Sequence, residues 1–164
     1  MNRQTCKKCG KLFIDAGGRP DSKILLVGEF PGRDETIKGV PFVGKTGDIL
    51  KAEMALAGLP YANVRVTNLW QHAKDEKGCD VDMHKNMMAK EFRGKTHILL
   101  MGSDLTKLLF DTGVMELSGL EMKHDMFPGV RLFVSPNPAL AMHGPIGEFR
   151  LAMTRFVEAI NGSA

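Results

Sequence analysis

The chain has 164 residues and a mass of 18.0 kDa, which fits one domain of ordinary size and excludes two independent catalytic domains. With 43% hydrophobic residues, 25% charged residues and a net charge of +3, it has a globular composition that permits an anionic partner without requiring one. It shows neither the apolar run of about 18 residues that a membrane span needs nor a secretory signal, so we expect a cytoplasmic protein without membrane contact.

The chain opens with an arm, residues 1–20, that carries Cys6 and Cys9. Three cysteines are an odd number in a chain without an export signal, which favours metal ligation over a disulfide framework. The two residues between Cys6 and Cys9 let both thiolates turn toward one centre, a spacing that zinc knuckles share with iron–sulfur sites. Because no repeat or linker-like composition follows, we expect residues 1–164 to form a single domain that includes this arm.

Four short apolar runs, each followed by Gly, Asn or Pro, predict strands at 24–27, 64–69, 97–101 and 131–134. Helical spacing alternates with them at 46–57, 82–92, 103–110 and 145–160. This alternation predicts an α/β fold, a three-layer αβα sandwich with a central four-stranded parallel sheet. Ligands of such folds bind beyond the carboxyl ends of the strands, so the chemistry is expected in the loops that follow them.

Residues 39–46, GVPFVGKT, satisfy the phosphate-loop pattern G-x-x-x-x-G-K-[ST]. A phosphate loop follows a buried strand directly, whereas residues 33–38, RDETIK, are polar. Pro41 also removes one of the amide groups that would contact phosphate. The sequence therefore disfavours a nucleoside triphosphatase.

The glycine-rich segments GEFPGRDE and GVPFVG are followed in order by Gly47, by Thr67-Asn68 and by the strand ending at Gly102, and the Cys6-x-x-Cys9 pair precedes them. Taken together, these motifs resemble the uracil-DNA glycosylase superfamily. The chain is similar to the iron–sulfur family 4 enzymes and to their phage DNA polymerase-related relatives. The resemblance implies a protein of bacteria or phage-infected cells that flips uracil, or a related modified pyrimidine, out of single- or double-stranded DNA. Such a protein hydrolyses the N-glycosidic bond in base excision repair or phage DNA metabolism.

A protein that works on a base must extrude it, stack it on an aromatic face and read its pairing edge. Phe42 is a suitable residue type for stacking, and Asn68 is suitable for reading the pairing edge. The Asn carboxamide offers a donor and an acceptor that match O4 and N3–H of uracil and mismatch the corresponding groups of cytosine. The resemblance implies the same roles for both, with Gly28 in the base-binding loop. Residue type alone favours ordinary structural roles, a core Phe in the pocket wall and an Asn that ends a strand.

Cleavage builds positive charge on the sugar and negative charge on the departing base, so the site must supply donors and a positioned water. Glu29 is expected either to orient water and probe the base or to anchor its own loop. Phe30 stands where the family usually has a small residue, and Ser135 stands where it usually has a histidine that stabilises the leaving base. Asn137 completes the predicted catalytic set. Because losing one such donor typically costs about 10²- to 10³-fold in rate, a weak or inactive nucleic-acid-binding protein is the alternative.

Further positions are expected to contact DNA. Gly32, Arg33 and Lys45 are candidates for phosphate contacts, although exposed basic residues are often only solvated. Leu140 and Met142 are candidates to enter the gap that a flipped base leaves. His143 is a candidate to supply the imidazole that Ser135 lacks, or else an ordinary loop histidine.

The resemblance implies four cysteine ligands and a [4Fe-4S] cluster, from which this chain departs. His72 occupies the third expected position, and the fourth falls near Cys79 or His84. Imidazole together with thiolate suits tetrahedral zinc, while a cluster with one histidine ligand and thiols without metal remain alternatives. We expect one structural metal centre, zinc or [4Fe-4S], which pins the arm to the loop after the second long strand.

Overall fold

The computed structural model describes residues 3–162, in which strands and helices alternate. The strands are β1 (Gly17–Gly18), β2 (Ile24–Gly28), β3 (Arg65–Asn68), β4 (His97–Met101), β5 (Glu121–Met122) and β6 (Arg131–Ser135). The α-helices are α1 (Arg33–Lys38), α2 (Lys45–Ala57), α3 (Val81–Glu91), α4 (Ser103–Phe110), α5 (Val114–Leu117) and α6 (Gly147–Gly162). The 3-10 helices are Tyr61–Asn63 and Pro138–Met142.

The strands form one sheet in the order β1-β3-β2-β4-β6-β5. The four predicted strands pair in parallel, which confirms the α/β prediction. Within the described residues the sheet has six strands rather than four, because β1 and β5 add antiparallel pairs at the two edges. Numbered by appearance, the parallel strands have the doubly wound order 2-1-3-4, and ligands of such sheets bind where the order reverses.

Apolar side chains cover both faces of the sheet. Leu26 and Leu99 belong to a cluster with residues of α2 and α6, whereas Leu25 and Ile98 belong to a cluster with residues of α3 and α4. Successive residues of a strand point to opposite faces, so adjacent leucines of β2 enter different clusters. The strand runs are continuously apolar because both faces are buried, and the result is the predicted three-layer arrangement.

Helix α1 was not predicted, because none of its residues is buried and its one large apolar side chain, Ile37, is 65% exposed. Capping explains it instead: the backbone N–H of Gly32 donates to Oε1 of Glu35 at 2.9 Å. The spacing of these two residues is that of a capping box, the one sequence signal for this helix. Since α1, and not a strand, precedes residues 39–46, the structural context of a phosphate loop is absent from this part of the chain.

The four longer helices lie within two residues of their predicted bounds. The prediction of Gly58 as a helix stop agrees with its left-handed backbone, φ 87°, at the end of α2. Across residues 3–162, none of the helices combines the length and the apolar character needed to cross a bilayer.

Candidate active site and metal centre

A small cavity lies at the carboxyl edge of the sheet, beside the point where the strand order reverses. Its volume is about 160 Å³, below the range of about 300–1,000 Å³ that is typical of sites for drug-sized ligands. The loop after β2, the start of α2, the end of β3 and the loop after β6 contribute its walls. The lining residues include Gly28, Glu29, Phe30, Gly32, Phe42, Asn68 and Asn137.

Phe42 and Asn68 both line this cavity and both approach Gly28. Gly28 pairs with Asn68 in the parallel register of β2 and β3. A Cβ atom added to Gly28 would lie 2.5 Å from Oδ1 of Asn68 and 2.8 Å from Cζ of Phe42. Both side chains are nearly buried, at 7% and 6% exposure. An aromatic ring and a carboxamide therefore line one cavity, separated by a residue without a side chain.

The backbone around Phe42 is held in an unusual conformation. Phe42 has φ 55°, a left-handed value that bulky residues rarely adopt. Gly47, in the first turn of α2, leaves room for the Phe42 carbonyl group, which an added Cβ atom would contact. Oε2 of Glu35 accepts hydrogen bonds from the backbone N–H groups of Val43 and Gly44, at 2.9 and 2.7 Å. Glu35 thus ties the segment that carries Phe42 to the N-terminus of α1.

Glu29 lines the cavity, and its carboxyl group packs against Gly102 and hydrogen-bonds with Asp104 at the start of α4. Lys74 pairs with Asp104 at 2.8 Å, and its ammonium group also lies 5.5 Å from the centre of the Phe30 ring. Burial, followed by the hydrogen bond and negative charge of Asp104, raises the pKa of Glu29 to about 7. The hydrogen bond from Lys74 lowers the pKa of Asp104. Glu29 therefore keeps a proton to higher pH than an ordinary carboxyl group, while Asp104 is ionised more readily.

The raised pKa of Glu29 predicts a pH-dependent stability. The pKa of Glu29 rises on folding from 4.5 to about 7, so the folded state holds the extra proton and its contribution to stability declines as pH rises through that window. We expect Glu29→Gln, which cannot ionise, to gain stability relative to the parent between about pH 5 and about pH 7.5. Urea midpoints of both proteins across this range would measure the difference. The difference reports on Glu29 and its partner Asp104, because the lowered pKa values of Cys6, His84 and His97 act equally in both proteins.

Glu158→Gln provides the control, since Glu158 is an exposed residue of α6. Its midpoint should follow that of the parent at every pH. A constant offset between Glu29→Gln and the parent across the window would show that Glu29 does not titrate there.

The two polar side chains predicted at the end of β6 and in the loop after it, Ser135 and Asn137, point in different directions. Ser135 is fully buried at the end of β6, and its hydroxyl donates to the carbonyl of Pro136 at 3.0 Å rather than into the cavity. Asn137 lines the cavity, while its Oδ1 caps the next 3-10 helix by accepting from the backbone N–H of Ala139 at 2.9 Å. The structure thus brings Asn137 to the cavity wall and leaves the Ser135 hydroxyl within its own loop.

The residues predicted to contact DNA lie on the surface around the cavity. Gly32 lines the cavity itself, and Arg33 and Lys45 are exposed at the first turns of α1 and α2. The 3-10 helix whose first residues line the cavity also carries Leu140 and Met142, 55% and 44% exposed, and ends at the exposed His143.

A second group of predicted residues converges under the arm. One donor atom from each of four side chains lies within 4.8 Å of the other three. The four are Cys6, Cys9, His72 and Cys79, of which all but Cys9 are buried. Burial alone would raise the pKa of Cys6, but backbone N–H groups of Cys9 and Lys8 help to bring it to about 6. This group can hold a metal ion. Its cysteines would bind the ion as thiolates and its histidine as neutral imidazole.

His84, the remaining metal candidate, borders this group. Its Nε2 lies 3.0 Å from Nε2 of His72 and 3.5 Å from Sγ of Cys79. It is fully buried, with its ring 4.7 Å from that of Trp70. The structure thus places His84 beside the four-residue group without including it.

The metal candidates and the cavity are joined through one loop. Gln71 donates from Nε2 to the carbonyls of Asn68 and Leu69, and its own carbonyl accepts from the backbone N–H of Ile14 in the arm at 2.6 Å. His72 follows directly. The segment that begins with Asn68 is therefore fixed at both ends, by the sheet and by the arm.

Three of the residues that organise the cavity were not predicted: Glu35, Lys74 and Asp104. Glu35 had a detectable signal in its capping-box spacing from Gly32. Asp104 lies just after β4, at the carboxyl end of a strand, where ligand-site residues of such sheets are expected. Its position was the only sequence signal for it. Lys74 carried no signal, because its role depends on the loop between β3 and α3 lying beside Asp104 of α4.

The chain matches known proteins over most of its length. Residues 16–161 match the family described as the Uracil DNA glycosylase superfamily. A Type-4 uracil-DNA glycosylase of Archaeoglobus fulgidus is 39% identical over 70 residues, covering 40% of this chain and 35% of the relative. A Type-4 uracil-DNA glycosylase of Saccharolobus solfataricus is 26% identical over 159 residues, covering 85% of this chain and 74% of the relative.

A Type-4 uracil-DNA glycosylase of Sulfurisphaera tokodaii is 38% identical over 72 residues, covering 40% of this chain and 32% of the relative. The matches thus span about a third of the Archaeoglobus and Sulfurisphaera proteins and about three quarters of the Saccharolobus protein. The family match extends from the last residues of the arm through α6 and includes the whole cavity. On this evidence the chain belongs to the uracil-DNA glycosylase superfamily.

Proposed function

We propose that this protein is a DNA glycosylase that removes uracil, or a related modified pyrimidine, from DNA. The observation that carries the proposal is the meeting of Phe42 and Asn68 across Gly28 in a cavity of about 160 Å³. A space of this size suits a single flipped base rather than a whole nucleotide. The relatives named as uracil-DNA glycosylases support the same substrate.

Base recognition would proceed by stacking and edge reading. An extruded pyrimidine would stack on Phe42 while the Asn68 carboxamide accepts from N3–H and donates to O4. The absence of a side chain at Gly28 lets the base approach the end of β2. Arg33 and Lys45 would contact phosphates, and Leu140 and Met142 would occupy the gap in the duplex.

Bond cleavage would depend on how the cavity stabilises the positive charge that develops on the sugar and the negative charge that develops on the base. Asn137 and the amides of the loop after β2, which line the cavity, would stabilise negative charge on the departing base. Glu29, held by Asp104, would keep a carboxyl group at the cavity wall and position water near the sugar. Phe30 lines the cavity beside it, and Nζ of Lys74 lies 5.5 Å from the centre of its ring.

A second candidate, a protein that binds DNA without cleaving the glycosidic bond, is favoured by the loop after β6. A neutral hydroxyl stands at the position of the usual histidine, and it donates to Pro136. Removing one donor of this kind lowers rates about 10²- to 10³-fold, so the proposed enzyme is expected to be slow.

A single-turnover assay separates the two candidates. Labelled single-stranded and duplex oligonucleotides with one uracil would be incubated with excess protein, with thymine in place of uracil as the control. An abasic product from the uracil strand alone supports the glycosylase. Retention of DNA without product supports the binding protein, and neither cleavage nor retention contradicts both.

A further inference from the structure

We propose that the metal centre holds one tetrahedral zinc ion, bound by Cys6, Cys9, His72 and Cys79, and not the iron–sulfur cluster that family resemblance implies. His84 acts as an outer partner of this ion and is not a ligand. The inference concerns the arm and is independent of the reaction in the cavity.

The distances between donor atoms fit a single ion. Ligands of tetrahedral zinc, with Zn–S near 2.3 Å and Zn–N near 2.0 Å, lie about 3.8 Å apart for two sulfurs and about 3.5 Å apart for sulfur and nitrogen. Sγ of Cys6 lies 3.7 Å from Sγ of Cys79, and Sγ of Cys9 lies 3.3 Å from Nε2 of His72. Two of the edges of a zinc tetrahedron are therefore already formed.

The same distances do not fit a [4Fe-4S] cluster. Each ligand of such a cluster binds a different iron at a different corner of the cube, so the ligands stand on opposite sides of four irons and four sulfides. Donor atoms that all lie within 4.8 Å of one another leave no room for that body. Three thiolates and an imidazole are also a common ligand set of structural zinc.

Hydrogen bonds prepare His72 to bind a metal. Its Nδ1 lies 2.7 Å from the carbonyl oxygen of Ala73, which can only accept, so Nδ1 carries the hydrogen. Nε2 then turns its lone pair toward Sγ of Cys9. A histidine fixed in this way by a backbone carbonyl is the usual arrangement of a metal ligand.

His84 is prepared for a different role. Its Nδ1 is approached by the backbone N–H of Gln71 at 3.1 Å and by Oε1 of the same residue at 2.7 Å. Gln71 thus holds the Nδ1 side of the ring, so Nε2 is the ring nitrogen that faces the metal candidates. Nε2 of His84 lies 3.5 Å from Sγ of Cys79 and 3.0 Å from Nε2 of His72. His84 therefore contacts two of the four ligands without belonging to the four-residue group, which is the position of an outer partner.

The test is metal analysis of the full chain expressed in medium supplemented with both iron and zinc. We expect about one zinc per chain, no acid-labile sulfide and no visible absorption. About four irons and four sulfides per chain would overturn the proposal. Failure of the metal-free protein to bind added zinc would overturn it as well.

Cobalt titration of the parent then reports on the ligands without any substitution. Co²⁺ in a tetrahedral site with three thiolates gives intense thiolate charge-transfer absorption, and zinc displaces it. An octahedral cobalt spectrum would contradict the ligand set.

Variants distinguish ligands from the outer partner. Cys79→Ser and His72→Gln should lose stoichiometric zinc binding, whereas His84→Gln should retain it with an affinity about 10- to 100-fold weaker. His124→Gln, which changes a histidine outside the group, should bind zinc like the parent. Full zinc affinity in Cys79→Ser, or complete loss of binding in His84→Gln, would show the assignment to be wrong.

Discussion

Replacing Asn68 with Ala is expected to lower the single-turnover rate of uracil excision about 10²- to 10³-fold. Two carboxamides line the cavity, and Oδ1 of the other, Asn137, already caps a helix. Asn68 is therefore the side chain that can offer a matched donor and acceptor to the base. A site built to hydrogen-bond its substrate loses most of its discrimination when those bonds are removed.

The comparison needs a matched asparagine elsewhere. Asn63 is exposed at the end of the 3-10 helix Tyr61–Asn63, so Asn63→Ala should excise uracil at the parental rate. Asn68→Asp keeps an acceptor and loses the donor, and its rate should fall nearly as far as that of Asn68→Ala. Unchanged turnover in Asn68→Ala would remove the central residue of the proposed recognition.

Adding one methyl group at Gly28 is expected to reduce excision by about 10²-fold or more. The new Cβ atom would lie 2.5 Å from Oδ1 of Asn68 and 2.8 Å from Cζ of Phe42, closer than such atoms can remain. Both side chains must move, and a displacement of about 1 Å in a reacting geometry costs about 10²-fold in rate. The crowding should also cost about 1–3 kcal/mol of unfolding free energy. Single-turnover kinetics and urea unfolding would measure the two effects.

Gly147→Ala is the control for Gly28→Ala. Gly147 begins α6, and an added Cβ atom there has no described neighbour within 4 Å. Its activity should match that of the parent, with stability equal or slightly higher because Ala favours helix over Gly. If Gly28→Ala excises uracil at the parental rate, the base does not bind between Phe42 and Asn68.

The core of the fold was predictable because it is built from continuous apolar runs. In strands such as β4 all five residues are buried, and the resulting apolar run can be recognised in the sequence without knowing which strands pair with it. Helix α1 and strand β1 contain no apolar run of this kind. The helix is stabilised by the hydrogen bond between the Gly32 backbone N–H and the Glu35 carboxylate. The strand consists of two glycines that are recognised as a strand only through their pairing with β3.

The site was predictable to the extent that chemistry follows residue type. Phe42, Asn68 and Gly28 were selected from motifs, and they line one cavity. What the residue types could not show is orientation. The hydroxyl of Ser135 donates within its own loop, and the carboxyl of Glu29 reaches Asp104 on another element. Such directions depend on distant residues that only the folded chain brings together.

The two antiparallel strands at the margins of the sheet bear on how the protein behaves at high concentration. A parallel sheet that ended in a long outer strand would offer unpaired backbone groups to another molecule. Here β1 and β5 are two residues each, and each bonds back to a longer strand. Edge strands this short offer few free backbone N–H and C=O groups to another chain. This disfavours self-association by strand addition and the fibrous precipitation that follows from it.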